Sequence, residues 1–233
     1  MPELSQAFTK ALWLIVGLDA DLVEIITLSL LVSLTAVGLA ALVGLPLGAA
    51  VAVLRFPGRA GVAVVLNALM ALPPVVVGLV VYLMLSRSGP LGVLGLLFTP
   101  AAMIIAQFLL VMPIIAALAR QVVEDLWHEY GEQLRSLGAR PGRALPTLLW
   151  DGRVTLVTTV LAGFGRASAE VGAVMIVGGN IDHVTRVMTT AIALETSKGD
   201  LELALGLGIV LLTLSLVVNT AAMLLRDAGR QAA

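Results

Sequence analysis

The chain alternates long uncharged stretches with short polar ones, and this pattern predicts helices that cross a membrane. Uncharged stretches cover residues 25–54, 60–86, 88–119 and 203–225. Each is longer than the roughly 20 residues that a helix needs to cross the hydrocarbon core. A fifth stretch, residues 154–181, is interrupted by Arg166 and Glu170 near its middle. Because none of the stretches alternates as barrel strands do, we predict an all-α integral membrane protein with about five transmembrane helices.

We place the five spans at about residues 22–54, 60–86, 100–119, 154–178 and 203–225. They are predicted to form a single transmembrane domain over residues 1–233, with 120–153 as its only sizeable cytoplasmic segment. Residues 1–21 lack the pattern of a signal peptide, and the apolar residues 11–18 are expected to form an interfacial helix.

Prolines within two of the spans predict a kink in the first span and a kink or break in the second. Pro46 lies between Gly44 and Gly48, whose spacing lets a second helix approach closely. Pro73 and Pro74 should break or sharply kink the second span. Carbonyls freed at Pro73 and Pro74 can face a transport cavity, whereas packing with a kink explains Pro46 without a role in transport.

Composition and charge agree with a membrane protein of defined orientation. Only 12% of residues are charged, against about 25% in soluble domains. With the N-terminus outside, nine of the 14 basic residues fall in the cytoplasm, and the positive-inside rule therefore favours N-out and C-in. The chain has no cysteine, which excludes disulfides and thiolate sites.

The 120–153 segment predicts a docking helix. Leu126, Tyr130, Leu134 and Leu137 recur at helical spacing, which indicates one apolar stripe. Gly138 is placed as a C-terminal cap, and Pro141-Gly142 is expected to turn the chain. Such a helix is suited to a groove on another protein, although it could also be a plain interfacial linker.

The sequence offers little for catalysis or metal binding. Lys10 and Lys198 follow Thr9 and Ser197, so no phosphate-binding Gly-Lys-Ser or Gly-Lys-Thr is present and any ATP must be hydrolysed by a partner. His128 and His183 fall on opposite sides of the predicted membrane and could not share a metal ion. We therefore predict no enzyme activity, no catalytic residue and no metal site.

Two motifs resemble the permeases of bacterial ABC importers. "EQLRSLG", residues 132–138, resembles their EAA-x-x-x-G loop but departs from it at Gln133 and Leu134. Residues 163–205 are similar to tungstate-type permeases of the molybdate and tungstate family. The matching pieces are Arg166, Glu170-Val171-Gly172, Gly179-Asn180-Ile181, the Thr-Thr-Ala-Ile run at 189–192 and Gly199-Asp200.

This resemblance implies a type I ABC importer permease in a bacterial cytoplasmic (inner) membrane. The implied assembly is a homodimer with two ATPase subunits, which bind ATP and magnesium, and an external oxyanion-binding protein. No cofactor is expected in this chain. The resemblance assigns coupling to the ATPase to Glu132, Leu134, Leu137, Gly138 and Ala139. The candidates for the translocation pathway are Arg166, Glu170, Gly172, Asn180, Thr189 and Thr190.

Several alternatives remain open from the sequence. The expected cargo is tungstate, but molybdate, sulfate or another anion would suit the same chain, and a non-ABC carrier or scaffold is the alternative of a different class. Arg166 and Glu170, four residues apart, are placed on one helical face. They could form an internal salt bridge, or Arg166 could attract a passing dianion while Glu170 weakens its trapping.

Overall fold

A computed structural model describes residues 15–231 together with Thr9 and Trp13, with side chains as far as Leu224. Apart from a 3-10 turn at Gly92–Leu94, the long elements of this part of the chain are α-helices, and no strand occurs in it. The helices are α1 (Ala20–Val53), α2 (Arg59–Leu69), α3 (Pro74–Leu85), α4 (Pro100–Ser136), α5 (Pro141–Asp151), α6 (Arg153–Ser168), α7 (Gly172–Gly178), α8 (Met188–Lys198) and α9 (Leu201–Gln231). The all-α prediction is confirmed, and the predicted interfacial helix at 11–18 lies partly outside the described residues.

Three of these helices are long and apolar enough to cross a membrane, namely α1, α4 and α9. The pairs α2 with α3 and α6 with α7 each reach the same length and hydropathy when they are taken together. The described chain thus holds three spans, or up to five if each bent pair is one broken span rather than a re-entrant loop. Their positions correspond to the five predicted apolar stretches.

Proline coincides with the break in one paired span but not with the break in the other. The second span is interrupted at residues 70–73 and restarts at Pro74, where the two prolines remove backbone donors. By contrast, α1 continues through Pro46 without ending. α6 ends at Ser168, before Glu170. The expectation that Arg166 and Glu170 lie on one face of a continuous helix is therefore wrong, because the helix stops between them.

The polar segment at 120–153 also differs from its prediction. Its amphipathic part is not a separate short helix but the last third of α4, which is 37 residues long. Pro141 does not simply turn the chain: it occupies the first turn of α5, where a proline costs no hydrogen bond because that N–H has no helical partner. The segment therefore contains the end of one helix and the whole of a second.

The chain is organised as two compact units that alternate along the sequence. The first unit comprises Met1–Thr35, Pro74–Gln107 and Ser168–Val217, and the second comprises the remaining residues. In the first unit, a buried cluster joins the start of α1 to α8 and α9 through Leu22, Met188 and Leu207. Also in this unit, α3 packs closely on α7, where a Cβ added to Gly78 would lie 2.7 Å from the Cα of Ala173.

The second unit has its closest helix packing between α1 and α4. A Cβ on Gly44 would lie 3.1 Å from the Met112 carbonyl oxygen, and one on Gly48 would lie 2.3 Å from the Ala116 carbonyl oxygen. The predicted close approach at these glycines is confirmed. Small residues at this spacing let two helix backbones meet, which is the usual source of stability for helix pairs in lipid.

Candidate functional site

The turn between α4 and α5 is fixed by a glycine in the left-handed conformation. Gly138 has φ 82°, and its N–H donates to the Arg135 carbonyl oxygen at 3.0 Å. The next N–H, of Ala139, donates to the Leu134 carbonyl oxygen at 2.9 Å. These two bonds form a Schellman motif, in which glycine avoids the steric cost of a positive φ. The predicted role of Gly138 as a C-terminal cap is confirmed.

Beneath this turn, the 120–153 segment packs on the end of α1 in the second unit. The fully buried members of the cluster come from α1, α4 and α5, and they are Ala49, Ala52, Val53, Val123, Ala144 and Leu148. Leu134, one of the predicted coupling residues, packs against this cluster and is half-buried. The segment is therefore anchored to α1 by apolar contacts on one side.

The opposite side of the segment is exposed. Glu132 and Gly138 are exposed, and Leu137 has 84% of its surface accessible. Arg135 beside them donates from Nε to the Gly131 carbonyl oxygen at 2.9 Å, and its guanidinium lies 5.4 Å from the Trp127 ring. This surface therefore presents an acidic and an apolar side chain together.

An arginine cluster holds the corner between α1 and α2 in the same unit. Arg59 donates from Nε to the Val51 carbonyl oxygen and from Nη2 to the Ala52 carbonyl oxygen, both at 2.7 Å. Its Nη2 also lies 2.9 Å from Oε1 of Glu124, whose other oxygen accepts from Arg120. Arg59 therefore satisfies carbonyls at the end of α1 that have no helical donor.

In the first unit, several predicted pathway residues form hydrogen bonds that connect α7 to α8. The Glu170 carboxylate accepts from the Ala173 N–H at 3.1 Å at the start of α7. The Glu170 carbonyl oxygen accepts from the Thr189 hydroxyl at 2.8 Å. Glu170 is only 4% exposed. Gly172 is close to Val75, because a Cβ added to Gly172 would lie 2.9 Å from a methyl carbon of Val75.

The loop between α7 and α8, residues 179–187, is held by further polar side chains. Asn180 has φ 51°, and its Nδ2 donates to the Thr190 carbonyl oxygen at 3.3 Å. Its Oδ1 is buried and has no hydrogen-bond partner among the described residues. The Thr190 hydroxyl is fully buried and bonds both the N–H and the carbonyl of Val187. Arg166 lies in the second unit, near the end of α6, and is partly buried.

Sequence reasoning missed three polar residues in or near this loop, namely Thr185 in the loop itself, Ser29 in α1 and Glu195 in α8. The buried Thr185 hydroxyl donates to the Gly178 carbonyl oxygen at 2.6 Å and accepts from the Ile181 N–H at 2.9 Å. Ser29 accepts from the Met188 N–H at 2.7 Å. The buried Glu195 accepts from Lys198 at 2.9 Å. Ser29 could have been identified as a polar residue within an apolar stretch. Thr185 and Glu195 lie where polar and apolar residues alternate, and no such signal marks them.

Charged groups at the start of α1 meet the same loop. His183 Nδ1 lies 2.9 Å from Glu24 Oε2, and this hydrogen bond is the main reason that the pKa of His183 is raised. Asp21, Glu24 and His183 bring three potential ligand atoms within 4.8 Å of one another, but all three side chains are exposed. Exposed groups of this kind are common without an ion, and we assign no metal site to them.

Comparison with known proteins identifies the family. No protein-family model matches the chain. The chain is 42% identical over 94% of its length to a tungstate uptake system permease protein of Peptoclostridium acidaminophilum, of which 96% is covered. It is 42% identical over 88% of its length to a probable anion ABC transporter permease protein of Haloferax volcanii, of which 91% is covered. The chain belongs to the family of ABC transporter permeases.

A third relative, a tungstate uptake system permease protein of Campylobacter jejuni, is 36% identical over 91% of the chain and 89% of its own length. More distant relatives are named as sulfate transport system permease proteins. The resemblance inferred from residues 132–138 and 163–205 is confirmed. This permease is thus a multi-pass membrane protein, and its relatives are components of uptake systems.

Proposed function

We propose that this permease forms the transmembrane pathway of an ATP-driven importer for a tetrahedral oxyanion, with tungstate as its cargo. The observation that carries the proposal is its similarity, over nearly the whole of both chains, to tungstate uptake permeases from two organisms. The permease itself would not be an enzyme: ATP and magnesium would bind to partner subunits. Molybdate or sulfate is the alternative cargo, and the more distant relatives that are named as sulfate permeases support sulfate.

The proposed assembly is a homodimer in a bacterial inner membrane, with its N-terminus outside and its C-terminus inside. Two ATPase subunits would bind the exposed side of the 120–153 segment, and an external oxyanion-binding protein would deliver the anion. Glu132, Leu137 and Gly138 would contact the ATPase directly. Leu134 and Ala139 would support this surface without contacting the ATPase. Leu134 packs on the buried cluster, and the N–H of Ala139 completes the Schellman turn.

The proposed pathway residues are Arg166, Glu170, Gly172, Asn180, Thr189 and Thr190. Their support is the concentration of polar side chains in this part of an otherwise apolar chain. Arg166 would attract a dianion, and Glu170 would keep that attraction weak enough for release. The hydrogen bonds of Thr189, Thr190 and Asn180 to backbone atoms suit a second contribution, which is to hold the loop between α7 and α8 in shape.

The test is ATPase activity of the permease reconstituted with its ATPase and binding protein, in the presence of tungstate, molybdate or sulfate. We expect the tungstate-loaded binding protein to stimulate hydrolysis most strongly. Glu132→Ala should abolish the stimulation, whereas Gln133→Ala, an adjacent exposed residue, should preserve it. Stimulation by sulfate alone would change the cargo, and failure of any ATPase subunit to bind would refute the importer.

A further inference from the structure

An apolar groove of about 340 Å³ lies on the surface of the second unit. Its walls come from the middle of α1, the end of α5 and the first half of α6. Leu42, Pro46, Leu149 and Val157 are among its lining residues, and Arg153 is its one charged member. Leu42 is 72% exposed and Val157 is 46% exposed, so the groove is open along its length rather than closed over by the protein.

The charged residue of the groove, Arg153, contacts an aromatic neighbour. Arg153 is the first residue of α6, and its Nη1 donates to the Trp150 carbonyl oxygen at 2.8 Å. The guanidinium lies 4.9 Å from the Trp150 ring, and Trp150 is 71% exposed. Tryptophan and arginine at the end of a span are typical of the boundary between lipid and water.

Arg153 lacks the acidic partner that two other arginines of this unit have. Arg59 and Arg120 both pair with Glu124, whereas no carboxylate lies within ion-pair distance of Arg153 among the described residues. A guanidinium has five N–H donors, and in Arg153 the Nη1 group donates one of them to the Trp150 carbonyl oxygen. Arg153 lines a groove whose other lining residues are apolar, which is the arrangement that an amphipathic anion would fit.

We propose that this groove binds an anionic phospholipid, with one acyl chain along Leu42, Pro46 and Val157 and with the headgroup phosphate on Arg153. Charge complementarity selects a lipid of this class, because a basic side chain near the membrane surface attracts anionic headgroups and a guanidinium forms charge-assisted hydrogen bonds with a phosphate. A second copy of the chain fits less well, because it would bury Arg153 without a carboxylate from the groove to pair it.

The test uses Trp150 as its own reporter. The purified permease is placed in nanodiscs of phosphatidylcholine that contain either brominated phosphatidylglycerol or brominated phosphatidylcholine, and tryptophan quenching is measured. Subtraction of the signal of Trp150→Phe isolates quenching at the groove. We expect phosphatidylglycerol to quench Trp150 at about fivefold lower mole fraction than phosphatidylcholine, the ratio that one basic residue provides near an anionic headgroup.

Variants assign the effect to Arg153. Arg153→Gln should remove the preference for phosphatidylglycerol, whereas Arg143→Gln, an exposed arginine of α5 outside the groove lining, should keep it. Val160→Phe, which narrows the groove, should weaken quenching by both lipids. The proposal fails if the two lipids quench equally or if both arginine variants behave alike. It also fails if Leu42→Cys forms a disulfide between two copies in the membrane, because the groove is then covered by protein.

Discussion

Replacement of Gly48 by alanine would test the close packing of α1 on α4. A Cβ at this position would lie 2.3 Å from the Ala116 carbonyl oxygen, 2.9 Å from the Ala119 Cβ and 2.9 Å from the Arg120 N atom. Two of these three atoms belong to the α4 backbone, and the third is fixed to it. No rotation of a side chain can therefore relieve the contact, and α1 must move away from α4.

The expected cost follows from the size of that movement. Ordinary contacts begin at 3.4 Å, so the two helices must separate locally by about 1 Å, which forfeits a quarter to a half of the dispersion energy of each contact along the interface. Overpacked sites of this kind cost about 1–3 kcal/mol. With a central value of about 2 kcal/mol, Tm should fall by about 4–8 °C in a chain of this size.

The assay is thermal unfolding of the purified permease in detergent, with Gly38→Ala as the control. Gly38 belongs to the same helix, but a Cβ there would meet nothing within 4 Å, so the control should keep or raise Tm through its better helix propensity. Equal Tm values for Gly48→Ala and Gly38→Ala would refute the close approach of α1 and α4.

Three further changes test the turn, the loop and the ion pair. Gly138→Ala should lower Tm through about 1 kcal/mol of strain at positive φ, while Gly142→Ala, with open space around it, should not; equal Tm values would contradict the Schellman turn. Thr190→Val removes a fully buried hydroxyl and should cost about 1–2 kcal/mol in unfolding experiments; an unchanged Tm would argue against its bonds. Because Glu24 raises the pKa of His183 from its ordinary 6.5, the pair stabilises the folded protein below pH 6.5 and loses this effect as the pH rises through the raised pKa. The Tm difference between wild type and His183→Gln should shrink over that interval, and a pH-independent difference would contradict the pair.

Local features were the ones that the sequence could predict. The five apolar stretches follow from hydropathy alone, and the Gly138 cap follows from a glycine at the end of an apolar stripe. The break before Pro74 is equally local, because a proline removes its own donor. Each of these depends on residues within a few positions of one another.

Features that depend on tertiary contacts could not be predicted from the sequence. The break between α6 and α7 has no proline, and it is stabilised by the Glu170 carboxylate at the start of α7 and by the hydroxyl of Thr189, which is far along the chain. α4 continues past Arg120, whose side chain pairs with Glu124 one turn later, although the first charges after an apolar stretch predict the end of a span. The sequence predicts a turn at Pro141, whereas this proline begins α5, where its missing N–H costs no helical hydrogen bond.

The Arg59 corner implies that one residue serves biogenesis and the folded protein at different times. During insertion the corner has not yet formed, and Arg59 is an uncompensated positive charge of the kind that orients a nascent span. After folding, the same guanidinium is neutralised by Glu124 and bonded to the carbonyls of Val51 and Ala52. Lysine could give the orientation signal, but its single ammonium lacks the planar fork that reaches two carbonyls and a carboxylate together. Selection on topology alone would accept either residue, whereas selection on the assembled corner requires arginine.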